Sequence, residues 1–262
     1  SEIYFLSNQT TLPTTAQVVF RVSGKQPELW DAVSGEIRDL CEGGEENGRT
    51  VVPLEFAPRG SLFLVFRQPL NETSARGQNF PEMKPVAEIA GPWDVSFDPK
   101  WGGPAQVTFE TLEDWAQRPE EGIRYYSGTA VYRQQLTLPS LAPGQRLFLD
   151  LGTVKNAARV KLNGQDLGVV WTAPWRAEIT AAARAGANDL EVEVVNLWPN
   201  RLIGDAALPP EKRFTVTNVR TYDTMASGTY GCQKCEARKR TGHSAELLPS
   251  GLLGPVTVLA SQ

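Results

Sequence analysis

Between residues 157 and 170 the chain reads AARVKLNGQDLGVV, and an Asn-Gly pair flanked on both sides by alternating apolar and polar residues leaves the backbone few options. Ala158, Val160 and Leu162 alternate with Arg159 and Lys161, the period of a strand with one face in a core. Asn163-Gly164 supplies the positive φ values that a two-residue hairpin turn demands. The segment therefore predicts two antiparallel strands joined tightly. Elsewhere 19 prolines and 23 glycines fall in short clusters between similar runs, which punctuates strands rather than helices. Only residues 111–117 and 179–184 have a helical period, and both patches are short. The expected class is all-β.

The runs divide into two groups. In the first, Val18, Phe20 and Val22 share one face of a strand, as do Val52, Leu54 and Phe56. The run SLFLVF over 61–66 is apolar on both faces, as a central strand covered on both sides would be. Residues 1–70 are expected to form a small β-sandwich unit. Residues 71–85, NETSARGQNFPEMKP, have no periodicity and read as a linker. Residues 86–262 hold seven further strand-like runs, enough for two stacked antiparallel sheets.

Charge and composition narrow the function classes. A net charge of -4 with scattered cations lacks the basic stripe of a nucleic-acid-binding surface. No apolar run approaches the roughly 18 residues needed to span a membrane, and the opening residues do not read as a signal peptide. The chain's single histidine, His243, has no nucleophile elbow near it, which disfavours a Ser-His-Asp scheme. Cys232 and Cys235 form a C-x-x-C with His243 eight residues on, three ligands where a structural zinc needs four. Free thiols on a surface excursion are the expected reading.

Three groups of residues carry candidate chemistry. Trp171 and Trp175 bracket a Thr-Ala-Pro loop, and indole faces stack on the C–H faces of sugar rings at small entropic cost. Asn196, Trp198, Asn200, Arg201 and Asp205 follow the strand-like run DLEVEVV in what reads as a polar loop. Their amides, guanidinium and carboxylate suit vicinal hydroxyls, while an Arg201–Asp205 clamp is the structural alternative. Asp94 and Asp98 offer hard oxygen ligands for a calcium ion, although alternation of inward Trp93, Val95 and Phe97 explains the same run as an ordinary strand. Glycoside cleavage requires two carboxyl groups flanking the bond, and Asp205, Glu113, Glu120 and Glu121 are the candidates.

The run from GTAVYRQQL through the Asn-Gly hairpin to TAPW resembles the sugar-binding jelly-roll domain of glycoside hydrolase family 2. The runs NLWPNRLIGD (196–205), LLPSGLLGPV (247–256), IYFLSNQ and GKQPELWD are similar to the C-terminal part of family 106 α-L-rhamnosidases. This resemblance implies a galactose-binding-like jelly roll preceded by a smaller sandwich, and a catalytic barrel domain elsewhere in the polypeptide as a partner. It also implies a bacterial protein, secreted or periplasmic, and a loop at 196–205 reaching towards substrate or the neighbouring domain. Two functions follow: a carbohydrate-associated module without its own catalysis, or a small self-standing glycosidase acting on rhamnosides or galactosides.

Overall fold

The structure is a computed structural model that describes residues 1–70, 77–140, 144–216 and 246–261. The chain divides into two compact units, residues 1–83 and 84–261. Both are antiparallel β-sandwiches.

The first unit comprises β1 (Glu2–Ser7), β2 (Thr14–Phe20), β3 (Lys25–Trp30), β4 (Ile37–Asp39), β5 (Gly44–Glu46), β6 (Arg49–Phe56) and β7 (Ser61–Pro69). One sheet runs β1-β7-β3-β4 and the other β2-β6-β5. Alternation sends Leu29, Leu62, Leu64 and Phe66 from the first sheet against Phe20, Val52 and Leu54 from the second. Each such buried side chain contributes about 1.5–3 kcal/mol. In the segment read as a linker, Asn79 is buried, donating to the Glu42 and Pro53 carbonyls, and Phe80 packs on this core. Met83 already begins the next strand.

The second unit comprises β8 (Met83–Ile89), β9 (Trp93–Phe97), β10 (Val107–Phe109), β11 (Thr129–Leu138), β12 (Leu147–Asp150), β13 (Thr153–Lys155), β14 (Ala157–Leu162), β15 (Gln165–Val170), β16 (Arg176–Glu178), β17 (Gly186–Val195), β18 (Gly251–Gly254) and β19 (Val256–Ser261). A six-stranded sheet β10-β9-β11-β17-β14-β15 is accompanied by a four-stranded sheet β16-β12-β19-β8 and a small pair β13-β18. Trp93, Val95, Tyr132, Val160 and Val192 from the first, and Leu147, Leu149 and Val258 from the second, share one core. The expected hairpin is present: Asn163 (φ 52°) and Gly164 (φ 79°) join β14 to β15, with Leu162 opposite Gln165.

Asn163 also latches its surroundings. Its amide donates to the Ala182 carbonyl and to Asn188 Oδ1, both at 2.8 Å, and its Oδ1 accepts the Asp189 N–H at 3.0 Å. On the outward face of the six-stranded sheet, strand pairing sets Asp94, Arg133, Glu191, Lys161 and Asp166 in one row of alternating sign across five strands. Such cross-strand pairs stabilise a solvated sheet face.

Among the described residues helix is confined to short pieces: α1 (Glu121–Arg124), α2 (Pro199–Ala206) and three 3-10 turns, one of them at Trp115–Gln117. Residues 179–184, expected to have some helical character, form only a turn. Conversely, α2 occupies a run read as a loop.

Candidate functional site

One end of the six-stranded sheet collects the aromatic and polar residues singled out above. At that end Val195 of β17 lies opposite Thr129 of β11 on one side and Ala157 of β14 on the other, and Ala158 lies opposite Val170 of β15. Trp171 follows β15 and Asn196 follows β17, so the two chain segments leave the sheet at the same rim, about 10 Å apart at two strand spacings.

Trp171 is 58% exposed and Trp198 50% exposed, each just past a strand that ends at this rim. Trp198 meets Trp101 edge to face with ring centroids 5.4 Å apart, which fixes its orientation. Trp175 behaves differently. It is half-buried against the sandwich core, and its carbonyl accepts the Leu151 N–H at 2.9 Å. Of the two indoles in the Thr-Ala-Pro loop, only Trp171 stands clear.

The polar residues at 196–205 turn inward. Pro199 opens α2 with its fixed φ, and the helix buries Asn200, Arg201 and Asp205 at 1%, 3% and 3% exposure. Asn196, also buried, donates to the Tyr126 carbonyl and to Ser250 Oγ and accepts the Gly128 N–H. Asn200 and Ser250 are linked at 3.1 Å. Ser127 Oγ donates to the Leu197 carbonyl and accepts the Arg201 N–H. Arg201 Nε lies 3.1 Å from Asp205 Oδ1 as an ion pair, with the N–H directed off the line between them. The guanidinium also stacks 4.7 Å above the Phe214 ring. Burial pulls the arginine pKa down, against the opposing pull of Asp205. Asp205 Oδ2 accepts both the N–H and the hydroxyl of Thr215, at 2.7 and 2.6 Å.

The expected polar loop is therefore a buried clamp: Asn196, Asn200 and Asp205 Oδ2 are hydrogen-bonded within the chain, and Arg201 Nε and Asp205 Oδ1 meet as an ion pair without a hydrogen bond. Burial of such groups is tolerated only with partners. Ser127, Thr215 and Ser250 were not legible as members, since hydroxyl residues outside α2, from nine to more than seventy positions away, carry no helical-period signal. The exposed indoles at this rim are Trp171 and Trp198, beside the exposed Val169, Val195 and Leu197.

The candidate carboxylates are also engaged. Glu113 and Glu120 grip opposite sides of Arg118 at 2.5 and 2.6 Å, and that guanidinium stacks 4.7 Å from Phe109. The hydrogen bond from Arg118 holds the Glu120 carboxyl below the usual glutamate range. A glycosidase acid requires the opposite displacement. Glu121 opens α1 at the surface, and Asp205 belongs to the clamp.

For calcium, Asp94 and Asp98 are four residues apart in extended chain, about 13 Å along the strand, too far to share one cation. Asp94 faces Arg133 across the sheet, and Asp98 accepts the Lys100 N–H to cap a 3-10 turn. No cluster of three or more His, Cys, Asp or Glu occurs among the described residues. Cys232, Cys235 and His243 lie outside the described residues, and Cys41 is a free, exposed thiol. A hollow of about 390 Å³ on the outer sheet face is lined by the charge row, away from the rim. Among the described residues no helix is long and apolar enough to cross a membrane.

Comparison with known proteins agrees with this architecture. Residues 1–41 match the family model of glycosyl hydrolase 106, α-L-rhamnosidase, and residues 113–226 match the glycosyl hydrolase 2 galactose-binding domain-like family. A Formosa agariphila protein described as "Putative beta-glucuronidase" is 40% identical over 176 residues, 65% of this chain and 15% of that protein. The solved rhamnosidase from Novosphingobium sp. PP1Y superposes with a TM-score of 0.82 at 35% identity, covering 99% of this chain and 23% of the rhamnosidase. The chain thus spans less than a quarter of either relative. Over nearly its whole length the chain is similar to part of a rhamnosidase, and residues 113–226, in its second unit, are similar to the galactose-binding domain-like family of glycosyl hydrolase 2.

Proposed function

We propose that the chain is a carbohydrate-associated module of a longer rhamnosidase-type glycoside hydrolase, contacting glycan at the rim of its second unit through Trp171 and Trp198. The observation that carries this reading is the pair of exposed indoles at one sheet end, set beside a buried clamp. Rigid aromatic faces bind sugar rings with little entropy left to lose. Asn196, Asn200, Arg201 and Asp205 act here as the frame that holds Trp198 in place rather than as groups touching sugar. In the full polypeptide this rim lies along the catalytic domain's substrate path. Secretion or a periplasmic location goes with such substrates.

Affinity electrophoresis of the chain in gels containing pectic or hemicellulosic polysaccharides tests this. Retardation is expected with at least one polymer. Trp171→Ala or Trp198→Ala weakens it about tenfold, on the order of 1.4 kcal/mol, while thermal unfolding is unchanged. Absence of retardation on every polymer, or equal retardation of both variants, refutes the reading.

A further inference from the structure

The hollow on the outer face of the six-stranded sheet lies beyond the rim. It holds about 390 Å³, within the roughly 300–1,000 Å³ of small-ligand sites. Cross-strand register builds it: Asp94, Arg133, Glu191 and Lys161 stand in one row across β9, β11, β17 and β14, and Gln135 faces Asp189 in the next outward row. These side chains also fix one another. Arg133 gives Nε to Glu191 and Nη1 to Ser96 Oγ, both at 2.9 Å, Lys161 Nζ donates to Glu191 at 3.0 Å, and Gln135 Nε2 donates to Asp189 Oδ1 at 3.2 Å. Arg133 Nη2, Gln135 Oε1, Asp189 Oδ2 and the Asp94 carboxylate have no hydrogen-bond partner among the described residues, and all four residues are exposed.

The lining selects the class of ligand. Its three carboxylates stand against two cations that are already ion-paired, so a polyanion finds no positive field. Nor do the acidic groups gather as a metal site among the described residues. What the hollow offers is fixed donors and acceptors side by side, and the vicinal hydroxyls of a neutral sugar, each donor and acceptor at once, match that set. Trp171 belongs to the same side of the sheet. Val170 packs on the core and Val169 is exposed, so alternation puts Trp171 on the outward side with Val169. Val195, level with Trp171, is six positions from Asp189 on β17, about 20 Å along the strand.

Resting on the reading that Trp171 meets glycan, we propose that the hollow is a second carbohydrate subsite, and that one neutral glycan chain lies lengthwise on the outer sheet face from Trp171 to Gln135 and Asp189. No aromatic ring lines the hollow, so it holds a single sugar weakly. Its contribution comes once the same glycan is seated on Trp171, because the tether makes the second contact intramolecular.

The probes are size-fractionated oligosaccharides of galactan and of xylan, titrated into the isotope-labelled full chain and followed by amide NMR shifts. Short oligomers are expected to move amides around Trp171 alone. Oligomers long enough to span the face are expected to move Gln135, Gly164 and Asp189 as well, with affinity at least about tenfold higher. Asp94→Ala with Gln135→Ala removes that gain, and leaves short-oligomer binding and thermal unfolding unchanged; Trp171→Ala weakens binding at every length. The two readings fail separately. If Trp171→Ala binds as wild type while long oligomers still move the hollow's amides, the rim reading falls and the subsite stands. No shift at those amides with either series, affinity independent of length, a double variant that binds long oligomers as wild type does, or amides moved by inorganic phosphate in place of sugar would each overturn the subsite.

Discussion

Asn200 and Leu248 hold each other through two reciprocal hydrogen bonds: the Leu248 N–H reaches Asn200 Oδ1 at 2.8 Å and Asn200 Nδ2 reaches the Leu248 carbonyl at 2.7 Å. A side-chain amide here does the work of a paired strand, giving residues 246–250 a backbone partner. Asn200→Ala removes both bonds and leaves polar groups at a buried site. The expected loss is about 1–3 kcal/mol per unsatisfied group, read as a fall in the urea midpoint at unchanged m-value.

Asp205 and Arg201 test the clamp from the other side. Asp205→Ala strands a buried guanidinium and releases Thr215, and destabilisation of about 3–5 kcal/mol is expected. Replacing both partners by leucine removes the stranded charge, so the double variant is expected to unfold at a higher temperature than Asp205→Ala alone. Calorimetry of the variants checks the ordering. A double variant less stable than the single one would show that the pair itself contributes net stability.

Tyr132 ties β11 of the six-stranded sheet to the turn at Trp115–Gln117 and to β18. Its buried hydroxyl accepts Trp115 Nε1–H at 2.5 Å and the Leu252 N–H at 3.3 Å, and burial drives its pKa upward. Tyr132→Phe keeps the ring and loses the acceptor. Destabilisation of about 1–3 kcal/mol is expected by urea unfolding, with faster amide exchange at Leu252.

Glu28 predicts an acid limb. Burial pushes its carboxyl up, but hydrogen bonds from Arg67 and Trp30 and the charge of Arg67 outweigh that and hold it below the ordinary glutamate value. The unfolded chain therefore takes up the proton first. The stabilisation is complete above the unfolded glutamate pKa of about 4.3 and drains away as pH falls through the lower folded value. Chemical denaturation of wild type and Glu28→Gln from pH 6 downward, in the range set by these values, checks this. The glutamine variant is expected to be less stable at neutral pH and flatter below it.

Much of the architecture was legible because alternation and turn chemistry are local. Phe20, Val52 and Leu54 were placed on inward faces by period two, and they are buried; the Asn163-Gly164 hairpin followed from φ alone. The candidate site was legible in part. Trp171 and Trp175 look equivalent in sequence, and only tertiary packing leaves one out and draws the other in. The 196–205 run was read as a loop because it follows the strand-like DLEVEVV and is too polar to look like core, and its Pro, Asn, Gly and Asp give no helical signal to set against that. Its helix is imposed by Ser127, Leu248 and Thr215, partners 74, 48 and 10 residues away from the groups they hold.

The latch at Asn163 sits at the end of β14 opposite the rim that carries Trp171. One carboxamide there fastens a hairpin, the turn at Ala182 and the opening of β17. An asparagine followed by glycine is also the dipeptide most prone to slow hydrolysis of its amide. Ageing of the molecule at this spot would swap the donor for a charge and loosen three segments at once, so an old preparation would lose its thermal resilience while the far rim around Trp171 kept its form.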